Sequence, residues 1–173
     1  NDVINNLAIM KTFINPHTYQ PIMTGSAIKG AIRTAILNQL AQDKGWTSLS
    51  DVRNKKKLPQ DLLGFDNPTQ DPMKLLKISD AEYNHAKNLP ATEVVLTVSR
   101  RRVPKKDKTG SGVTTYLEAI SGYRREAFNF DIRHLHNKDI PNRHLVPATT
   151  AELAKICNDY YLDKLHKELD ELS

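Results

Sequence analysis

Apolar residues at Ile28, Ala31, Ile32, Ala35, Ile36 and Leu40 recur every three or four positions. That spacing predicts an amphipathic helix over 26–42 with one buried stripe. Thr24, Gly25 and Ser26 stand before it with hydroxyl and backbone groups suited to capping. A second helical pattern, through Leu153, Ile156, Tyr160, Leu165, Leu169 and Leu172, follows Thr149-Thr150-Ala151-Glu152, which has the capping-box spacing. Short runs rich in β-branched and apolar residues predict strands at Leu7–Ile14, Leu75–Ser79, Glu93–Arg101, Tyr116–Ile120 and Ala127–Leu135. In the last of these Phe128, Phe130 and Ile132 share a face, and the Ser121-Gly122 turn before it predicts a hairpin with the strand ending at Ile120. Gly45 to Asn67 reads as irregular, with a short turn or helix over Leu58–Phe65.

The order is strand, helix, strand, strand, hairpin partner, helix. Mixed elements in that order predict an α+β fold of the ferredoxin-like or RRM-like kind. The division expected is a core over 1–148 and a C-terminal helix over 149–173, packed on or following that core.

Composition narrows the class. The chain has 173 residues with 39% hydrophobic and 26% charged, enough for one domain with a core. No apolar run approaches the ~20 residues that span a bilayer. The opening Asn1-Asp2-Val3-Ile4 has neither the basic flank nor the apolar core of a secretory signal. It also lacks an initiator Met, so a trimmed chain or an internal piece is expected. A single cysteine, Cys157, excludes an intrachain disulfide and a multi-cysteine zinc site, and fits a reducing, cytoplasmic setting. The net charge of +5 favours polyanionic partners.

Charge placement supplies the candidates. At the first helix, Gly25 and Ser26 offer a backbone amide and a hydroxyl, and Lys29 and Arg33, four apart, share a face. Gly30 costs roughly 1 kcal/mol against Ala inside a helix, which suggests close approach of a strand or of a ligand backbone, with a harmless glycine as the equal alternative. Arg100, Arg101, Arg102, Lys105, Lys106 and Lys108 leave a strand end and enter a polar loop, where they can follow a phosphate backbone without reading bases. Arg124 and Arg125 extend that patch. The alternative is a solvated edge strand kept soluble by its cations. His134 and His136, with His144 and His17, carry the residue type of a general acid and base, although no carboxylate adjoins them at a metal-binding spacing. Asp71 and Asp80 have the chemistry for Mg²⁺, but Asp71 before Pro72 fits a turn or cap better. Phe128 and Phe130 at period two read as a core face rather than a stacking platform for bases.

The stretch Pro21-Ile22-Met23-Thr24-Gly25-Ser26-Ala27-Ile28-Lys29-Gly30-Ala31-Ile32-Arg33-Thr34 resembles the signature helix of the RAMP superfamily of CRISPR proteins. Thr24 stands where that pattern has Pro, and Ala27 where it has a second Ser. Asp71-Pro72-Met73-Lys74-Leu75-Leu76-Lys77-Ile78-Ser79-Asp80-Ala81 resembles a segment of one RAMP subunit family, the fifth protein of the type III-A (Csm) effector complex. Met73 and Lys74 replace its usual Phe and Arg. Glu118-Ala119-Ile120 with Gly122 and Phe128–Ile132, and then Ile156–Tyr161, are similar to later segments of that family. The family's opening strand with its His-[Ile/Leu]-Gly-Ser-Gly turn and its late Gly-rich loop are both missing, so a part of a longer subunit is expected. The resemblance implies a non-catalytic subunit that binds crRNA by shape and backbone near its 3′ end and caps the backbone filament. It also implies contact with other Csm subunits, recruited nucleases that mature the crRNA, a role in antiviral defence, and no cofactor. The RNA-binding residues it points to are Gly25, Ser26, Lys29, Gly30, Arg33, Arg100, Arg101, Arg102, Lys105, Lys106, Arg124 and Arg125. Two alternatives remain at this point: a metal-independent endoribonuclease using His134 or His136, and a purely protein–protein capping module.

Overall fold

A computed structural model describes residues 8–46, 57–84, 91–97, 115–122 and 126–172. The elements are β1 (Ile9–Met10), β2 (Ile22–Met23), α1 (Gly25–Asp43), α2 (Leu58–Leu63), β3 (Leu76–Ile78), β4 (Ala81–Tyr83), β5 (Thr92–Thr97), β6 (Thr115–Ile120), β7 (Phe128–Asn129), β8 (Ile132–His134) and α3 (Thr150–Leu172). Single turns of 3₁₀ helix lie at Pro68–Gln70, Pro72–Leu75 and Arg143–Leu145. The chain is α+β, as the patterning predicts.

Contacts divide the chain into two compact units interleaved in sequence. The first holds residues 1–23 and 81–129, the second 24–80 and 130–173. Within the second unit α3 packs against α1.

In the first unit, β6 pairs antiparallel with β5 and parallel with β1, so Tyr116 faces both Leu96 and Ile9. A second sheet runs β2-β4-β7. Tyr83 of β4 and Phe128 of β7 meet edge to face at 5.6 Å, a favoured aromatic geometry. Glu118 of β6 ties the start of β5 to the chain just after β1: its Oε1 accepts from Thr92 Oγ1 at 3.0 Å and its Oε2 from the Thr12 amide at 3.3 Å.

The second unit holds the main apolar core. Ile32 and Ile36 of α1 pack with Leu63, Phe65, Met73, Leu76, Val146 and Leu153. Each such aliphatic side chain contributes about 1.5–3 kcal/mol by leaving water. Here β3 and β8 form a two-stranded antiparallel ribbon, with Ile78 opposite Ile132. Gly64 ends α2 at φ 65°, the left-handed conformation that glycine adopts without cost, and Asn142 Nδ2 donates to its carbonyl at 2.7 Å. The capping box of α3 forms as its sequence predicts: the Glu152 amide donates to Thr149 Oγ1 at 3.2 Å, and Glu152 Oε2 accepts the Thr149 amide at 3.2 Å.

Two expectations need correction, and α3 adds a finding of its own. The expected hairpin of Tyr116–Ile120 with Ala127–Leu135 does not form, because β6 takes β5 and β1 as partners. The run 127–135 is not one strand. It breaks at Phe130–Asp131, where the Asp131 amide donates to Ser79 Oγ at 2.9 Å, and β7 and β8 join different sheets. The apolar side of α3 is only half used: Leu153 is buried, while Leu165 and Leu169 are 48% and 53% exposed.

Candidate nucleic-acid interface

The first helix meets the segment 71–80 along one stripe. Residues 25, 29 and 33 are four apart and therefore stack on one face. Each makes a polar contact with that segment, in reverse order along it. The Gly25 amide donates to Asp80 Oδ1 at 2.7 Å. Lys29 Nζ donates to the Leu76 carbonyl at 2.7 Å. Arg33 Nη1 pairs with Asp71 Oδ2 at 2.7 Å. The two stretches that carry the strongest family resemblance are thus fastened to each other.

The local chemistry explains each contact. Thr24 is the N-cap, its hydroxyl accepting the Ala27 amide at 3.3 Å. That leaves the first helical amide, on Gly25, to a carboxylate, and negative charge is favoured at a helix N-terminus. Gly25 is fully packed: a Cβ there would collide with the carbonyl oxygens of Ile78 and Ser79. Asp71 uses both oxygens, Oδ2 for Arg33 and Oδ1 for the Met73 amide at 2.9 Å, so it caps the 3₁₀ turn as its position before Pro72 suggests. Burial pushes the Lys29 ammonium below its ordinary pKa of 10.5; Lys77 adds to that and Arg33 adds less, while Asp71 pulls the other way.

The outward side of the same helix is open. Ser26 and Gly30, one turn apart, are exposed, and nothing lies within 4 Å of a Cβ built on Gly30. The Ser26 hydroxyl donates to Thr24 Oγ1 at 3.1 Å. Lys29 and Arg33 are half-buried and keep further donors: Lys29 spends one of three N–H groups, and Arg33 one end of its fork.

Of the other candidates, Arg100, Arg101, Arg102, Lys105 and Lys106, with Arg124 and Arg125, lie outside the described residues. His134 ends β8, and it lines a cleft of the second unit together with His136 and His144, whereas His17 belongs to the first unit. Among the described residues no cluster of three or more His, Cys, Asp or Glu side chains has the placement to hold a metal ion. No described helix is long and apolar enough to cross a membrane. Sequence reasoning missed the anchoring role of Asp80 and the Leu76 carbonyl; a backbone acceptor leaves no signal in residue type.

The RAMP superfamily model matches residues 5–172. The chain belongs to the RAMP superfamily. Among solved structures, it is similar to the crystal structure of T.onnurineus Csm5, with a TM-score of 0.59 and 17% identity over 95% of this chain and 56% of that one. The likeness establishes a common fold, and this chain spans just over half the length of that relative. No curated protein sequence matches it.

Proposed function

We propose that the chain is a non-catalytic crRNA-binding subunit of a type III-A (Csm) effector complex. It caps the backbone near the crRNA 3′ end, among other Csm subunits, and supports crRNA maturation by recruited nucleases in a cytoplasmic antiviral system. One observation carries the reading: family and Csm5-like fold coincide over nearly the whole chain. The exposed Ser26–Gly30 face then supplies a place for an RNA backbone to lie close to α1. Lys29 and Arg33 have a double role, fastening α1 to the 71–80 segment and turning their remaining donors toward phosphate. Arg100, Arg101, Arg102, Lys105 and Lys106, with Arg124 and Arg125, add sequence-independent grip.

Gly30→Glu tests this without disturbing packing, because the position is open and Glu is a good helix former. In a fluorescence-anisotropy titration with single-stranded crRNA, we expect the wild-type chain to bind with an affinity that falls as salt rises. We expect the variant to bind at least tenfold more weakly, with the RNA intact on a gel. Wild-type chain that ignores crRNA at low salt, or that cleaves it, refutes the reading.

A further inference from the structure

In the second unit a cleft of about 730 Å³ opens between the C-terminal half of α1, the chain after β8 and the start of α3. Its floor is apolar: Ile36, Leu40, Leu75, Val146 and Ile156. Its rim carries His134, His136, Arg143 and His144, all exposed. The carboxylates that line it are already engaged. Asp43 Oδ1 accepts from Gln39 Nε2 at 2.9 Å, and Glu152 Oε2 accepts the amides of Ala148 and Thr149 at 3.1 and 3.2 Å. The side chains of His134, His136, Arg143 and His144 have no hydrogen-bond or ion-pair partner among the described residues. The cleft therefore joins an apolar floor to a rim of unspent donors that includes a permanent cation. The complementary ligand is a flat apolar ring that carries an anion.

We propose that this cleft receives one nucleotide of the bound RNA strand, its base over the Leu40–Val146 floor and its phosphate held by Arg143 and the imidazoles. The proposal rests on the RNA-binding reading above and adds a site to it, with a rim (His134, His136, Arg143 and His144) that lies outside the segments that resemble the family. The volume lies within the ~300–1,000 Å³ of ordinary small-ligand pockets, which suits a single unstacked nucleotide rather than a duplex. Arginine suits the phosphate because its fork donates two parallel hydrogen bonds.

The test uses the full chain and crRNA substituted with 4-thiouridine. Bound complexes are photo-cross-linked, and the modified peptides are identified by mass spectrometry. A His136→Ala/Arg143→Ala/His144→Ala variant is titrated in parallel; all three positions are exposed, so the fold is retained. Cross-links within residues 134–147, together with at least a tenfold loss of RNA affinity in the variant, support the proposal. RNA binding with unchanged affinity in the variant and cross-links elsewhere overturns the nucleotide site while leaving the RNA-binding reading intact. Unchanged RNA affinity with loss of assembly onto partner subunits assigns the cleft to a protein and also overturns it. Wild-type chain that binds no RNA removes the broader reading and the site with it.

Discussion

Two glycines of α1 separate what sequence can and cannot say about a residue. Gly25 is jammed against the end of β3, where an added Cβ would meet the carbonyl oxygens of Ile78 and Ser79. Gly30 faces open space. Gly25→Ala is therefore expected to destabilise by about 1–3 kcal/mol, as overpacking does. Gly30→Ala should gain up to about 1 kcal/mol from helix propensity and reduced unfolded-state freedom. Urea denaturation of both variants checks this; equal effects of one sign would disprove the assignment. The sequence suggests that Gly30 marks a close approach of a strand or ligand backbone or else is a harmless glycine, and it offers Gly25 as a cap and a candidate RNA contact. The tight neighbour of Gly25 lies more than fifty positions along the chain, and no local pattern carries that distance. Asp71 was different. A carboxylate before Pro72 is a cap by local chemistry alone, and that much was legible.

At the level of elements, α1 and the 71–80 segment act as one fastened pair, and Lys29 offers a pH readout of the fastening. Burial holds its folded-state pKa below the ordinary 10.5. The charged form is thus disfavoured by folding, so this residue lowers stability while it is protonated in both states. That penalty fades as pH rises from the folded-state pKa toward 10.5, because the folded state sheds the proton first. The wild-type chain should accordingly gain stability relative to Lys29→Met as pH rises through the lowered folded-state pKa toward 10.5. Paired urea melts measure the difference; one that stays flat would show that Lys29 sits in a water-like environment, and one that reverses would show that its folded-state pKa is raised. Element types were largely legible: both long helices and the capping box follow from spacing and composition. Strand partners were not. Alternation says which residues share a face and is silent on which strand lies alongside, so β6 was assigned to the chain after it instead of to β5 and β1. The break at Phe130–Asp131 depends on Ser79, again a distant residue. The three-residue strands β3, β4 and β8 are too short for a period to identify; only β3 and β8 fell within longer apolar runs.

For the whole molecule, family membership and the polar lock explain one another. The Gly, Lys and Arg positions of the signature helix meet the two Asp residues and a backbone carbonyl of the second motif, so the motif residues have a structural task before any RNA is present. On the proposed RNA-binding reading, electrostatic grip then comes partly from cations outside these two motifs. Arg100, Arg101 and Arg102 fit that role, since they belong to a run of six cations between β5 and β6 in a chain of net charge +5. For single-stranded nucleic acid each phosphate contact contributes about −0.7 to the slope of log K against log salt. Replacing all three arginines by alanine should therefore flatten that slope by about 2 and weaken binding to every sequence alike. Anisotropy titrations of crRNA and of an unrelated single strand, each over a range of salt concentrations, measure both quantities. An unchanged slope would assign these arginines to keeping an edge strand soluble. A loss confined to one sequence would point to base reading, which a backbone-following segment does not perform.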